Sequence, residues 1–134
     1  KDIVPANAVY YGCDGLDGVA AQIDSTATNK SSYITPFDVN SEDAKVSAFV
    51  KAYEAKYNAK PDQFAADGYD AIYAIFEAMK ALGVENVKVD PAELGKALVS
   101  VFTADTFAYG GVTGNMKWIA SGACNKEPII VEIN

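Results

Sequence analysis

The chain contains no histidine and no arginine, so its side-chain bases are carboxylates and lysines alone. The commonest general base and the usual zinc ligand sets are therefore both missing, and no hydrolytic apparatus is visible. Cysteine is scarce as well. Cys13 and Cys124 stand near opposite ends of the 134 residues, and neither has a neighbouring His or second Cys to activate it as a nucleophile. Two buried thiols are the expectation, and a Cys13–Cys124 disulfide, which would close nearly the whole chain, is the alternative. Cationic runs are absent too. A formal net charge of -7 opposes phosphate backbones and anionic membranes, which removes nucleic acid from the candidate partners. No run approaches the roughly 20 apolar residues that cross a bilayer, so direct membrane insertion is not expected, and Lys1 is not followed by the apolar core of a secretory signal.

What is present is enough apolar sequence for one core, at 50% hydrophobic and 22% charged residues. The patterning is α/β. Residues 7–12 read as a short strand stopped by Gly12, 15–23 as a weak helix with apolar residues at 16, 19, 20 and 23, and 31–35 as a strand that Pro36 ends. A stronger helix is predicted over 41–59, capped by Asn40, with Val46, Phe49, Val50, Tyr53 and Tyr57 on one face. The next, over 63–82, carries Ile72, Ile75, Phe76, Met79 and Leu82 on its apolar face, with Gly83 at its left-handed end. Asp90-Pro91-Ala92-Glu93 is a full helix start, and that helix runs to about Val101. Strands follow at 115–120 and 128–133, with a turn at Gly122 between them. Few strands face many helices. Either the helices pack on one another, or the chain completes a sheet supplied elsewhere.

Three clusters invite chemistry. In Gly12-Cys13-Asp14-Gly15, Asp14 can cap the helix that follows, or, at the end of a strand, present a carboxylate to a cation or ammonium. Gly12, Gly15 and Gly18 do not form a phosphate loop, because neither glycine motif is present and Asp14 and Asp17 would repel a phosphate. The spacing of Asp14, Asp17 and Asp24 does not match a calcium loop, so no metal or other cofactor is expected. Asp62, Asp67 and Asp70 read as acids favoured near a helix N-terminus, and Phe64 beside them as core or as a ligand-facing ring. Trp118 reads as packing.

The stretches YYGCDGLDG at 10–18, YITPFD at 33–38, FVKAYEAKYNAKPDQFAADGYDAIYAIFEAMKALG at 49–83 and YGGVTGNMKW at 109–118 resemble the C-terminal third of type I substrate-binding proteins of ABC importers, particularly the branched-chain amino-acid-binding group. The resemblance runs through nearly the whole chain. It implies portions of both lobes of a type I periplasmic-binding-protein fold, each lobe a three-layer αβα unit. Residues 1–35 would belong to the second lobe, 36–110 to the first as a helical segment, and 111–134 to strands returning to the second. Roughly two thirds of such a protein would precede Lys1, so a companion polypeptide or an exchange between copies is implied. In the family's GxEG-like turn a carboxylate accepts the ligand's α-ammonium, and Asp14 matches it with a side chain one methylene shorter. Phe64 matches the pocket-lining aromatic before the GYDA-type helix.

The function this implies is capture of an amino acid, branched-chain or similarly apolar, by lobe closure and its delivery to an ABC permease. The setting would be extracytoplasmic, in the periplasm or on a lipoprotein at the cell surface, and the protein would not be an enzyme. Two other readings stay open: a ligand-sensing receptor domain of the same fold, and a structural or interaction fragment without its own ligand.

Overall fold

Aspartates set where the helices of this chain begin. The computed structural model describes residues 8–19, 22, 31–83 and 90–133. Within them, strand β1 (Tyr10–Gly12) leads into a 3-10 turn (Asp14–Leu16), and β2 (Ser31–Thr35) follows. Three helices come next, α1 (Ala44–Tyr57), α2 (Gln63–Ala81) and α3 (Pro91–Phe102). The chain closes with β3 (Tyr109–Gly111), β4 (Gly114–Trp118), β5 (Cys124–Asn125) and β6 (Ile129–Ile133). Of the predicted weak helix over 15–23, the start is the 3-10 turn, Asp17 and Gly18 continue as a turn, and residues 20, 21 and 23 lie outside the described residues, as do Asn7 and Asp24.

Each helix start has its own carboxylate acceptor. Asp43, not Asn40, caps α1, accepting from the amides of Lys45 and Val46 at 2.8 and 3.1 Å. The predicted start was early because residues 38–43 satisfy one another in turns: Asn40 N donates to Asp38 Oδ1, and Asp43 N to Ser41 Oγ. Asp62 caps α2 through Ala65 N at 2.8 Å, and Asp90 caps α3 through the amides of Ala92 and Glu93, with Pro91 at the first helical position. Asn58 ends α1 in the left-handed region at φ 53°, and Gly83 follows α2 at φ 66°, both as their residue types favour.

Two small sheets flank the helices. In one, the order is β1-β2-β6, with β1 parallel to β2 and β6 antiparallel to it, so the front and the tail of the chain meet in a single sheet. The other is an antiparallel meander, β3-β4-β5, of which β3 and β5 were not anticipated. The core between them gathers Phe37, Val46, Phe49, Val50, Ala66 and Val112. Burying each of the larger side chains contributes roughly 1.5–3 kcal/mol. Phe49 meets Phe37 edge-on at 5.9 Å and Tyr69 at 4.8 Å, while Trp118 packs on Phe102 and Phe107 in a second aromatic cluster, in line with its reading as packing.

The buried face of α2 is a correction. Ala66, Asp70, Ala74 and Ala78 turn inward, whereas Ile72 is 67% exposed and Ile75 and Phe76 are also exposed. Small residues let the β3–β4 hairpin approach the helix closely, and the larger apolar ones are left outside. Asp70 is not an acid tuned to the helix dipole. It is 1% exposed and accepts from Val112 N at 2.9 Å, Thr113 N at 2.8 Å and Thr113 Oγ1 at 2.6 Å. The two-residue turn of the hairpin is itself buried, so its amides need such an acceptor. Gly111 is required beside it, because a Cβ there would overlap the Asp70 carboxylate.

Candidate ligand-binding site

The turn after β1 is held from below by the first residue of α2. Gln63 is 1% exposed, and both ends of its amide are engaged: Nε2 donates to the Asp14 carbonyl at 2.6 Å, and Oε1 accepts from the Thr35 hydroxyl at 2.8 Å. Its backbone N–H, one of the amides a helix start leaves without an internal partner, donates to Asp17 Oδ2. The other Asp17 oxygen accepts from the Tyr33 hydroxyl at 3.0 Å. Burial, and then the Asp17 carboxylate, push the Tyr33 hydroxyl up to about 12. Asp17 thus acts as a second cap for α2, delivered from a turn 46 residues earlier in the chain.

Asp14 itself is left free of structural duty. Among the described residues its carboxylate accepts only from the adjacent Gly15 N–H at 3.1 Å, and it is Cys13, without a side-chain cap, that occupies the capping position of the 3-10 turn. The side chain is exposed. Together with Cys13, Ile34, Thr35, Pro36, Lys126 and Pro128 it lines a cavity of about 330 Å³. Ile34, Pro36 and Pro128 make apolar walls, and one carboxylate and one ammonium face the same space. The ammonium is already paired, since Lys126 Nζ lies 2.6 Å from Asp67 Oδ1, at the first turns of α2.

Phe64 does not line this cavity, but it is the residue next to Gln63, so the amide that grips the Asp14 turn also sets the ring's point of attachment. The ring is 61% exposed, which overturns the core reading of that position. The cysteine expectation is also overturned: Cys13, in the turn, and Cys124, in the two-residue strand β5, are both free and exposed. A larger cavity, about 480 Å³, lies elsewhere, between α2, α3 and the β4–β5 connection, with Ile75, Val99, Phe102 and Trp118 among its walls and no charged group. Of these residues, Gln63, Asp17 and Thr35 escaped the reading of the sequence as parts of the site. Asp17 had one available signal, its place in the same acidic turn.

Among the described residues no helix is long and apolar enough to cross a membrane, and no group of three or more acidic or Cys side chains is placed to hold a metal ion. A family profile described as "Periplasmic binding protein" matches residues 2–125. No curated protein sequence matches the chain. Among solved structures, the branched-chain amino acid transporter substrate-binding protein LivJ from Streptococcus pneumoniae, in complex with isoleucine, is similar at 28% identity and TM-score 0.70, over 96% of this chain and 34% of that one. A solute-binding protein of an ABC transporter from R. palustris, in complex with benzoate, is similar at 25% identity and TM-score 0.71, over 92% of this chain and 32% of that one. The leucine-binding protein LivK from Thermotoga maritima, at 20% identity and TM-score 0.67, shares the fold. The chain thus spans about a third of the length of the structures it matches. Its architecture is part of a type I periplasmic-binding-protein fold, in a family of substrate-binding proteins of ABC transporters and not of enzymes. With 124 consecutive residues matched, from 2 to 125, the chain belongs to the periplasmic binding protein family.

Proposed function

We propose that this chain carries one wall of the cleft in which an extracytoplasmic solute-binding protein captures an apolar amino acid, branched-chain or similar, for an ABC permease. The observation that carries the reading is the Asp14 carboxylate: exposed, uncommitted to any helix cap, and set in a cavity whose other walls are largely apolar. An α-ammonium supplies the charge-assisted hydrogen bonds that such a carboxylate lacks, an aliphatic side chain suits Ile34, Pro36 and Pro128 in the same cavity, and the exposed ring of Phe64, outside it, is offered to the apolar end of the ligand. An aromatic carboxylate such as benzoate would meet Asp14 with like charge, and the cation opposite is already paired with Asp67.

In this reading residues 1–35 and the tail belong to one lobe and the helical segment from 36 to the other. The single sheet joining β2 to β6 supports the first grouping. We draw the return crossing after Asn125, not at 111, because Asp70 ties Val112 and Thr113 to α2 and β5 pairs with β4 in the same sheet. The apolar side chains that α2 leaves exposed support a working unit larger than these 134 residues, whether continuous with them, a companion polypeptide or an exchanged copy. Native mass measurement of the purified protein tells those three apart. A lipoprotein anchor outside this chain is part of the same proposal.

Isothermal titration of the intact protein with leucine, isoleucine, valine and benzoate tests the ligand class. Saturable binding of an aliphatic amino acid at micromolar or tighter affinity, with none of benzoate, is the expected result. Benzoate binding without amino-acid binding overturns it.

A further inference from the structure

Gln63 is a buried polar side chain that bridges two segments of the candidate site and that no ligand role explains. It is 1% exposed, it stands at the first position of α2, and its contacts reach two other segments, the Asp14 turn and strand β2. We infer that Gln63 is a positioning residue that sets the reach of Asp14 toward a ligand ammonium. The inference rests on the reading of Asp14 as the ammonium contact.

The physical argument begins with the departure at position 14. An aspartate carries its carboxylate one methylene closer to the backbone than a glutamate does, so its reach depends more on where the backbone of the turn lies. That backbone has few constraints of its own. The 3-10 turn is three residues long, buries none of them, and its amide-to-carbonyl bonds are 3.0 Å from Leu16 to Cys13 and 3.2 Å from Asp17 to Asp14. The Gln63 Nε2 bond of 2.6 Å to the Asp14 carbonyl is shorter than either, and it comes from a side chain pinned at its other end by Thr35. Thr35 is in turn fixed, 1% exposed in β2 and accepting from Phe37 N at 3.2 Å. A buried amide thus joins strand β2 to the Asp14 end of a turn whose other end is held through the Asp17 carboxylate. Because Gln63 also precedes Phe64, the same anchor relates the carboxylate to the exposed ring, and so the polar end of a ligand to its apolar end.

If the role is positioning, losing the amide weakens the ammonium contact selectively. If it is only structural, all ligands suffer alike. The test measures affinities of the intact protein for leucine and for 4-methylpentanoate, which is leucine without its amino group, in the parent and in Gln63→Met, Gln63→Leu and Asp14→Ala. The parent prefers leucine, and Asp14→Ala abolishes most of that preference. Gln63→Met lowers the leucine preference by about tenfold, the equivalent of one charged hydrogen bond partly misplaced, while leaving the 4-methylpentanoate affinity within about twofold. Gln63→Leu removes the donor with a second apolar shape and gives the same answer where Gln63→Met fails to fold. In the cycle with Asp14→Ala the two losses are non-additive.

An unchanged preference in both Gln63 variants, or equal loss for both compounds, overturns the positioning role while the Asp14 reading stands. A parent without leucine preference, or an Asp14→Ala variant that retains it, overturns the Asp14 reading and the inference together.

Discussion

Asp70 and Asp14 are the same residue in opposite circumstances. Asp70 is buried and accepts three hydrogen bonds from a turn 42 or 43 residues away. Asp14 is exposed, and among the described residues its carboxylate accepts one, from its immediate neighbour. Carboxylates saturated by protein donors hold structure, because removing them leaves buried amides unpaired. A carboxylate that the fold positions but does not use is free to meet something else, and its removal should cost the fold little. The stretches Gly68-Tyr69-Asp70-Ala71 and Gly111-Val112-Thr113-Gly114 belong to the first kind, and the acidic turn at Asp14 belongs to the second.

This contrast is open to direct attack. Asp70→Ala strips the acceptor from Val112 N, Thr113 N and the Thr113 hydroxyl, and should destabilise the fold by roughly 3–5 kcal/mol, seen as a large fall in the chemical-denaturation midpoint. A loss below about 1 kcal/mol would show that water replaces the carboxylate and that the clamp is not essential. Gly111→Ala presses a methyl group on the same carboxylate and should cost about 1–3 kcal/mol. Asp14→Ala is the opposite case: stability should stay within about 0.5 kcal/mol, while affinity for the amino acid falls roughly 10- to 100-fold in titration calorimetry. Were the stability to fall as far as for Asp70→Ala, the contrast between the two aspartates would collapse.

The smallest effect is a pH slope. Burial first, and then nearby carboxylates, Asp17 and Asp70 respectively, push the hydroxyls of Tyr33 and Tyr109 up to about 12 from an ordinary 10.0. Between those values the unfolded chain has released protons that the folded one retains. The stability these tyrosines contribute is therefore complete below pH 10 and is lost as pH rises toward 12. Tyr33→Phe should flatten its part of the slope in denaturation curves recorded across that window, and an unchanged slope would assign the effect to other groups.

Much of the fold could be read from short-range chemistry. Asp62, Asp90, Asn58 and Gly83 perform within a few residues the work their types predict, so the ends of α2, the start of α3 and the end of α1 were legible. The start of α1 was missed by a few residues because several acceptors compete there and only one has a run of free amides after it. What could not be read was the choice between two faces of α2. Ile72, Ile75 and Phe76 recur at helical spacing as convincingly as Ala66, Ala74 and Ala78, and only the close approach of a hairpin from more than 40 residues away selects the alanines. The candidate site divides the same way. Asp14 was visible as a carboxylate ending a strand, and Phe64 as an aromatic at the start of a helix, but Gln63 carries no signal until its partners 28 and 49 residues distant are known.

Cys13 sits one residue from Asp14 on the wall of the same cavity, and its thiol is free and exposed. With Cys124 replaced by serine, it becomes the single attachment point on the chain for a thiol-reactive fluorophore. Occupancy of the cavity would then be read as a change in emission, without regard to which ligand is offered. A position with no assigned chemistry is in that sense the most convenient window onto the one beside it.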